Sequence, residues 1–165
     1  MKETLRRMQK KRAAGDGGFT LVELLVVVVI IGVLVAIAVP MYLNYRKGAA
    51  NKSAESDVRA AVSAVEQFYT ENGNTYPVST AADVTDKLIF GTTASGATGT
   101  GGTPQTATLS PGNAMQYKKT SAGDSYKICG QNTDGKTFYI YDSGAGGSVK
   151  KVDSPAPASL SACVA

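Results

Sequence analysis

The chain has 165 residues, 43% hydrophobic, 18% charged and 7% aromatic, which is the composition of one small domain with no room for a second. Six of the 17 basic side chains (Lys2, Arg6, Arg7, Lys10, Lys11, Arg12) and two of the 13 acidic ones (Glu3, Asp16) fall in residues 1–18. The remainder is therefore neutral, which argues against a nucleic-acid-binding face on the body. There is no histidine, so Ser-His-Asp triads, histidine metal sites and imidazole proton shuttles are excluded, and an enzyme is disfavoured before any motif is read.

After the basic leader, Leu24 to Val39 reads LLVVVVIIGVLVAIAV, without a charge or a hydroxyl. With Phe19 to Glu23 added, a helix rising ~1.5 Å per residue spans about 31 Å, one bilayer hydrocarbon core. The run has no polar stripe, so a body of this size cannot cover it on every side as a core helix. The basic flank keeps the leader cytoplasmic and directs the chain beyond Val39 outside. Two fates are open to the segment. A cut after the small-residue triplet Ala36-Ile37-Ala38 discards the helix as a secretory signal and releases a soluble domain starting at Val39. A cut in front of the apolar run, at Gly18-Phe19, keeps it.

Two features favour keeping it. Glu23 lies inside the apolar stretch, where a carboxylate without a partner costs several kcal/mol, and a discarded peptide has little use for one. The helical pattern also continues past Pro40, with Ala54, Val58, Ala61, Val62, Val65, Phe68 and Tyr69 at i, i+3, i+4, i+7 spacing. One long helix is expected over residues 19–72, of which 19–39 form the membrane-spanning part.

The string GFTLVELLVVVVIIGVLVAIAVP, Gly18 to Pro40, resembles the N-terminal segment of type IV pilins and pseudopilins. The resemblance is close over these 23 residues and holds only in outline beyond them. It implies an α+β pilin fold and removal of the leader 1–18 by a prepilin peptidase. It further implies N-methylation of the new terminal residue Phe19 by the peptidase/methyltransferase, and assembly into a homopolymer through Phe19, Glu23 and Pro40. In this family Glu23 is expected to pair with the terminal amine of a neighbouring subunit; a pair with the amine of its own chain is the plainer alternative. Pro40 removes the hydrogen bond to the Ala36 carbonyl and is expected to bend or locally melt the helix. Gly32 either admits close helix approach or is incidental.

Residues 73–165 are expected to form the exported head. Glu71-Asn72-Gly73-Asn74 ends the helix, and Tyr76-Pro77 sets an extended exit. A short helix is expected over Asp83–Phe90, because Val84, Leu88 and Ile89 share a helical face. Residues 91–112, rich in Gly and Thr and without charge, read as a long surface loop, bare rather than glycosylated. Four strand candidates follow, Ala114–Lys118, Ser125–Cys129, Thr137–Tyr141 and Ser148–Val152, separated by turn sequences. They predict an antiparallel meander lying on the Ala54, Val58, Val62, Val65, Tyr69 face of the helix.

Cys129 and Cys163, in an exported and oxidising setting and with no histidine, read as one disulfide, free thiols being the alternative. Type IV pilins commonly carry such a C-terminal disulfide and the major pseudopilins of type II secretion generally lack it, so the resemblance leans to a pilus subunit. Asp134-Gly135 with Asn132 and Asp142 offers too few oxygen ligands for calcium, and a turn accounts for them. No carboxylate cluster, thiol with a base or phosphate-cradling loop appears, so no catalytic residue, cofactor or metal is assigned. The resulting expectation is a structural subunit, single-pass in the cytoplasmic membrane with its C-terminus outside before assembly and in a surface filament afterwards. Its partners would be copies of itself, the assembly platform and minor pilins, with nucleic acid touched only at the level of a filament. The competing readings are a minor pilin or pseudopilin of a secretion or DNA-uptake system, a secreted binding domain and a single-pass receptor.

Overall fold

The computed structural model describes residues 18–80, 82–91, 103–153 and 155–165. Helix α1 runs Leu21–Glu71 with Pro40 inside it, and the chain divides into two compact units, one ending at Leu43 and the other spanning Asn44–Ala165. In the first unit α1 is apolar and exposed throughout, and it is long and apolar enough to cross a membrane. The α1 C-terminus obeys local chemistry: Gly73 and Asn74 take positive φ angles of 65° and 58°, and Asn74 N donates to the Tyr69 carbonyl.

In the second unit α1 has one buried stripe, formed by Ala54, Val58, Ala61, Val65 and Phe68. Val62 and Tyr69, expected on this face, flank it as partly buried residues, while Ala61 and Phe68 are fully covered. Against the stripe lies a four-stranded antiparallel sheet in sequential order: β3 (Asn113–Lys119), β4 (Tyr126–Asn132), β5 (Phe138–Asp142) and β6 (Lys150–Lys151). Met115, Tyr117, Tyr126, Ile128 and Tyr139 face the helix, so the expected helix-on-sheet α+β arrangement is present. The small side chains of α1 let the sheet approach closely. A Cβ placed on Gly130 would sit 2.5 Å from Val58 Cγ2, and one on Gly135 would sit 2.1 Å from Asn51 Oδ1. The other sheet face buries Cys129 and Phe138 beneath a short C-terminal helix, α2 (Leu160–Cys163), capped by Ser159.

Two expectations fail between the helix and the sheet. The short helix over Asp83–Phe90 does not form; Lys87–Phe90 is strand β1, pairing antiparallel with β2 (Gln105–Thr108). Leu88 and Phe90 are both buried and separated by half-exposed Ile89, a period of two that outweighs the weaker helical face. The surface loop expected over 91–112 is likewise corrected at its C-terminal end. Ala107 sits opposite Leu88 and is buried, and Leu109 joins the core. The middle of that loop, residues 92–102, lies outside the described residues. Ahead of β1 in the chain, Thr80 and Val84 bond to the free edge of β3, Thr80 N donating to the Tyr117 carbonyl and Val84 and Met115 exchanging backbone bonds.

Candidate assembly site

Gly18 and Phe19 precede the first helical residue, Phe19 is 84% exposed, and a Cβ on Gly18 would meet nothing, so the Gly18-Phe19 peptide bond lies in open, non-helical chain. Thr20 caps the helix. Its backbone N and its Oγ1 each donate to Glu23 Oε2 at 2.8 Å, and Glu23 N donates back to Thr20 Oγ1 at 3.2 Å. This reciprocal capping box satisfies orphan donors of the first turn and holds the carboxylate where the helix dipole favours negative charge. The Thr20-x-x-Glu23 spacing carries that signal in the sequence, yet the site residues drawn from the sequence omit Thr20. The carboxylate thus has an intrachain anchor, and its geometry places it one turn from the residue at which cleavage would create an amine.

From Leu21 to Leu43 no large apolar side chain is less than 48% exposed. An apolar cylinder of this kind is stable only in lipid or against other apolar helices. Gly32 lies in the middle of it, and a Cβ there would touch nothing among the described residues. Glycine costs about 1 kcal/mol in a helix interior relative to alanine, and no contact among the described residues requires it. Pro40 sits in the same exposed stretch, with helix on both sides.

The second unit is tied to its stretch of α1 by polar contacts that the sequence does not advertise. Asp57 accepts from Ser110 N, Ser110 Oγ and Asn113 Nδ2, and Asn113 Oδ1 accepts from Asn132 Nδ2. Asn132 Oδ1 in turn accepts from the backbone of Asp134, while the Asp134 carboxylate pairs with Arg46 at 2.9 Å. Asp142 Oδ1 accepts from Gly144 N and Ala145 N, so the oxygens weighed for calcium serve turns and an ion pair. Glu55 is buried on α1 between Lys52 and Arg59; the hydrogen bond from Lys52 is the main influence holding its carboxyl below the usual range. Tyr117 and Tyr126 are fully buried, and desolvation pushes both phenols up from their ordinary value. Tyr126 Oη donates to Glu66 and Tyr117 Oη to the Pro77 carbonyl, which satisfies both hydroxyls.

Cys129 of β4 and Cys163 of α2 are joined by a disulfide with Cα atoms 6.1 Å apart. It fastens the C-terminal segment onto the sheet face opposite α1.

The prokaryotic N-terminal methylation motif matches residues 14–39 of the chain. The type II secretion system core protein G of Aeromonas hydrophila is 38% identical over 72 residues, 44% of this chain and 48% of that protein. The type IV major pilin protein PilA of Myxococcus xanthus is 39% identical over 54 residues, 33% of this chain and 24% of that one. Fimbrial protein Q of Moraxella bovis is 36% identical over 96 residues, 58% of this chain and 57% of its own length. The chain thus matches about half, or less, of the length of these relatives. No solved structure matches it.

Proposed function

We propose that the chain is a structural subunit of a type IV pilus-like surface filament, cut after Gly18 and polymerised through the first half of α1. The methylation motif over residues 14–39 carries this reading, because from Leu21 on it falls on the stretch of α1 whose apolar side chains have no cover among the described residues. Before assembly the helix anchors the subunit once in the cytoplasmic membrane with residues 44–165 outside, as the basic leader directs. Afterwards copies of the same helix take the place of lipid, since Val, Ile, Leu and Ala require no hydrogen bonds in either setting. The carboxylate of Glu23, held at the helix head, receives the N-methylated amine of Phe19 from an adjoining subunit. The low dielectric makes that pair costly to leave incomplete, which sets the axial stagger. Pro40 leaves α1 one hydrogen bond short in this region, a weak point at which the helix can deform during assembly.

The N-terminal sequence and intact mass of protein sheared from the surface of the native host test this reading. The expected result is an N-methylated Phe19 start with two hydrogens missing at Cys129 and Cys163; a start at Val39 removes the helix and the proposal with it. A second reading, a pseudopilin of a type II secretion system, is supported by the similarity to core protein G. It predicts few subunits at the surface and a secretion defect on deletion, whereas a pilus subunit predicts abundant filaments.

A further inference from the structure

We propose that the turn of α1 just beyond the apolar run, Tyr42 to Lys47, seats the subunit against the headgroups of anionic phospholipids. The rings of Tyr42 and Tyr45 lie at the level of the ester and phosphate groups. Lys47, with the spare donors of Arg46, binds phosphate oxygens. This seat operates at the membrane stage of the proposed function and rests on that reading.

The first observation is spacing along the helix. From Glu23 to Tyr42 a helix rising ~1.5 Å per residue advances about 29 Å, one hydrocarbon core. A bilayer that covers the stretch between them puts Glu23 at one surface and Tyr42 at the other, and leaves neither a carboxylate nor a phenol in the hydrocarbon. From Tyr42 to Lys47 the helix advances a further ~8 Å, the depth of one headgroup layer. The Cα–Cβ bonds of a helix tilt toward its N-terminus, so the long side chains of Tyr45, Arg46 and Lys47 lean back toward the bilayer.

The second observation is exposure. Tyr42 is 66% and Tyr45 79% exposed, and neither ring stacks on another among the described residues. Tyr69, Tyr76, Tyr117, Tyr126 and Tyr141, by contrast, pack on one another over the sheet. A ring with an apolar body and a polar tip, left uncovered at the end of an apolar span, is most stable at a membrane–water boundary, where both parts are solvated.

The third observation is charge. No acidic residue lies between Glu23 and Glu55, whereas Arg46, Lys47 and Lys52 do. Lys52 is bonded to Glu55, but Lys47 has no carboxylate within 4 Å among the described residues. Arg46 meets Asp134 through one Nη at 2.9 Å, with both side chains more than half exposed, which leaves other guanidinium donors for phosphate. The Asp134 charge is offset by Lys136, exposed and two residues further on. The turn is therefore cationic, which fits an anionic lipid surface better than a zwitterionic one, and salt screens that preference.

The chain has no tryptophan, so a single Tyr45→Trp reports its own depth in bilayers of phosphatidylglycerol and phosphatidylcholine holding the full chain. Val33→Trp, near the middle of the span, reports insertion in parallel. A nitroxide on the lipid headgroup is expected to quench Tyr45→Trp at least about threefold more than one at mid-chain, and Val33→Trp is expected to show the reverse. Energy transfer from Tyr45→Trp to dansyl-labelled phosphatidylglycerol should exceed that to the labelled phosphatidylcholine about twofold at low salt and equal it at high salt. Added to Tyr45→Trp, Lys47→Gln should remove about half of that excess, Lys47→Arg should restore it, and Lys52→Gln should leave it unchanged. If mid-chain nitroxide fails to quench Val33→Trp, the membrane stage falls and the seat with it. If Val33→Trp behaves as expected, the seat alone is overturned by any of three results. These are a Tyr45→Trp quenched by neither label, as for a ring in water or covered by a second copy; no preference for phosphatidylglycerol; or a preference that Lys47→Gln leaves intact or Lys52→Gln reduces equally.

Discussion

The two parts of α1 follow the same helical geometry and obey different rules. Residues 21–43 present apolar side chains on every side, all of them exposed, with Glu23 the one carboxylate and its local partner Thr20 beside it. Residues 44–71 carry charges on the outside and a single apolar stripe toward the sheet, and are fixed at its margin by Asp57, which reaches Ser110 and Asn113. The second part is complete within one chain. The first part is not, because burying so much apolar surface requires a surrounding that the described residues do not supply. On the proposed function, assembly and folding are thereby separated along one helix, and substitutions in the two parts are expected to affect different measurements.

The sharpest way to break that separation is Glu23→Val. Filament recovered by shearing is expected to fall below detection, while the urea midpoint of the body changes by less than about 0.5 kcal/mol, as for a surface substitution far from the core. A comparable loss of body stability would join the two parts energetically. Replacing Cys129 and Cys163 by serine attacks the other side of the comparison. The 34-residue separation of the bridged cysteines corresponds to about 4 kcal/mol of unfolding free energy in the chain-entropy argument. Equilibrium unfolding should show that loss while processing at Gly18 continues unchanged.

Alkaline titration comes next in size. Burial raises the Tyr117 and Tyr126 phenols above their unfolded value near 10, so their contribution is complete below pH 10. Above that the unfolded chain loses protons that the folded one keeps, and stability falls by about 1.4 kcal/mol per pH unit for each tyrosine. Tyr126→Phe should remove one share of that slope, as read from urea midpoints between pH 9 and 11. Gly130→Ala forces a Cβ against Val58 and is expected to cost about 1–3 kcal/mol, measured by thermal unfolding. A double variant with Val58→Ala should recover part of it. The smallest effect is at Glu55, whose carboxyl is held low chiefly by the Lys52 hydrogen bond. Its contribution is present above the unfolded value near 4.5 and is lost as pH falls through the lowered folded value. Glu55→Gln should therefore destabilise the body modestly at pH 7, and the difference from the parent should vanish in acid unfolding curves.

Much of this architecture was legible in local patterns. The apolar run from Leu24 to Val39, the i, i+3, i+4 stripe from Ala54 to Phe68 and the Gly73-Asn74 stop all depend on neighbours within a turn or two of helix. The meander from Asn113 onward was readable because its strands are rich in aromatic and β-branched residues and its turns in Gly, Asn and Asp. The β1–β2 pair was not, because Lys87–Phe90 shows both a helical face and an alternation, and Gln105–Thr108 lies in a Gly- and Thr-rich stretch without charge. Only the partner strand decides between those readings, since a strand's hydrogen bonds lie outside its own segment.

For the assembly site the sequence determined nearly everything that is chemical. The residues proposed for it, Gly18 and Phe19 just ahead of α1 and Glu23 and Pro40 within it, are related by spacing along a short stretch of chain, and the capping box of Thr20 with Glu23 is written in a four-residue interval. The tertiary structure alone decided which residues meet across the body. Asp57 reaches Asn113 and Ser110, Lys118 faces Lys127, and Gln116 Oε1 is buried without a partner among the described residues. Helical contacts are fixed by separations of three or four residues, which a sequence displays. Contacts between α1 and the sheet, and between β3 and β4, depend on register and approach distance, which are set only when Gly130 and Gly135 let the backbones close on the small side chains of α1.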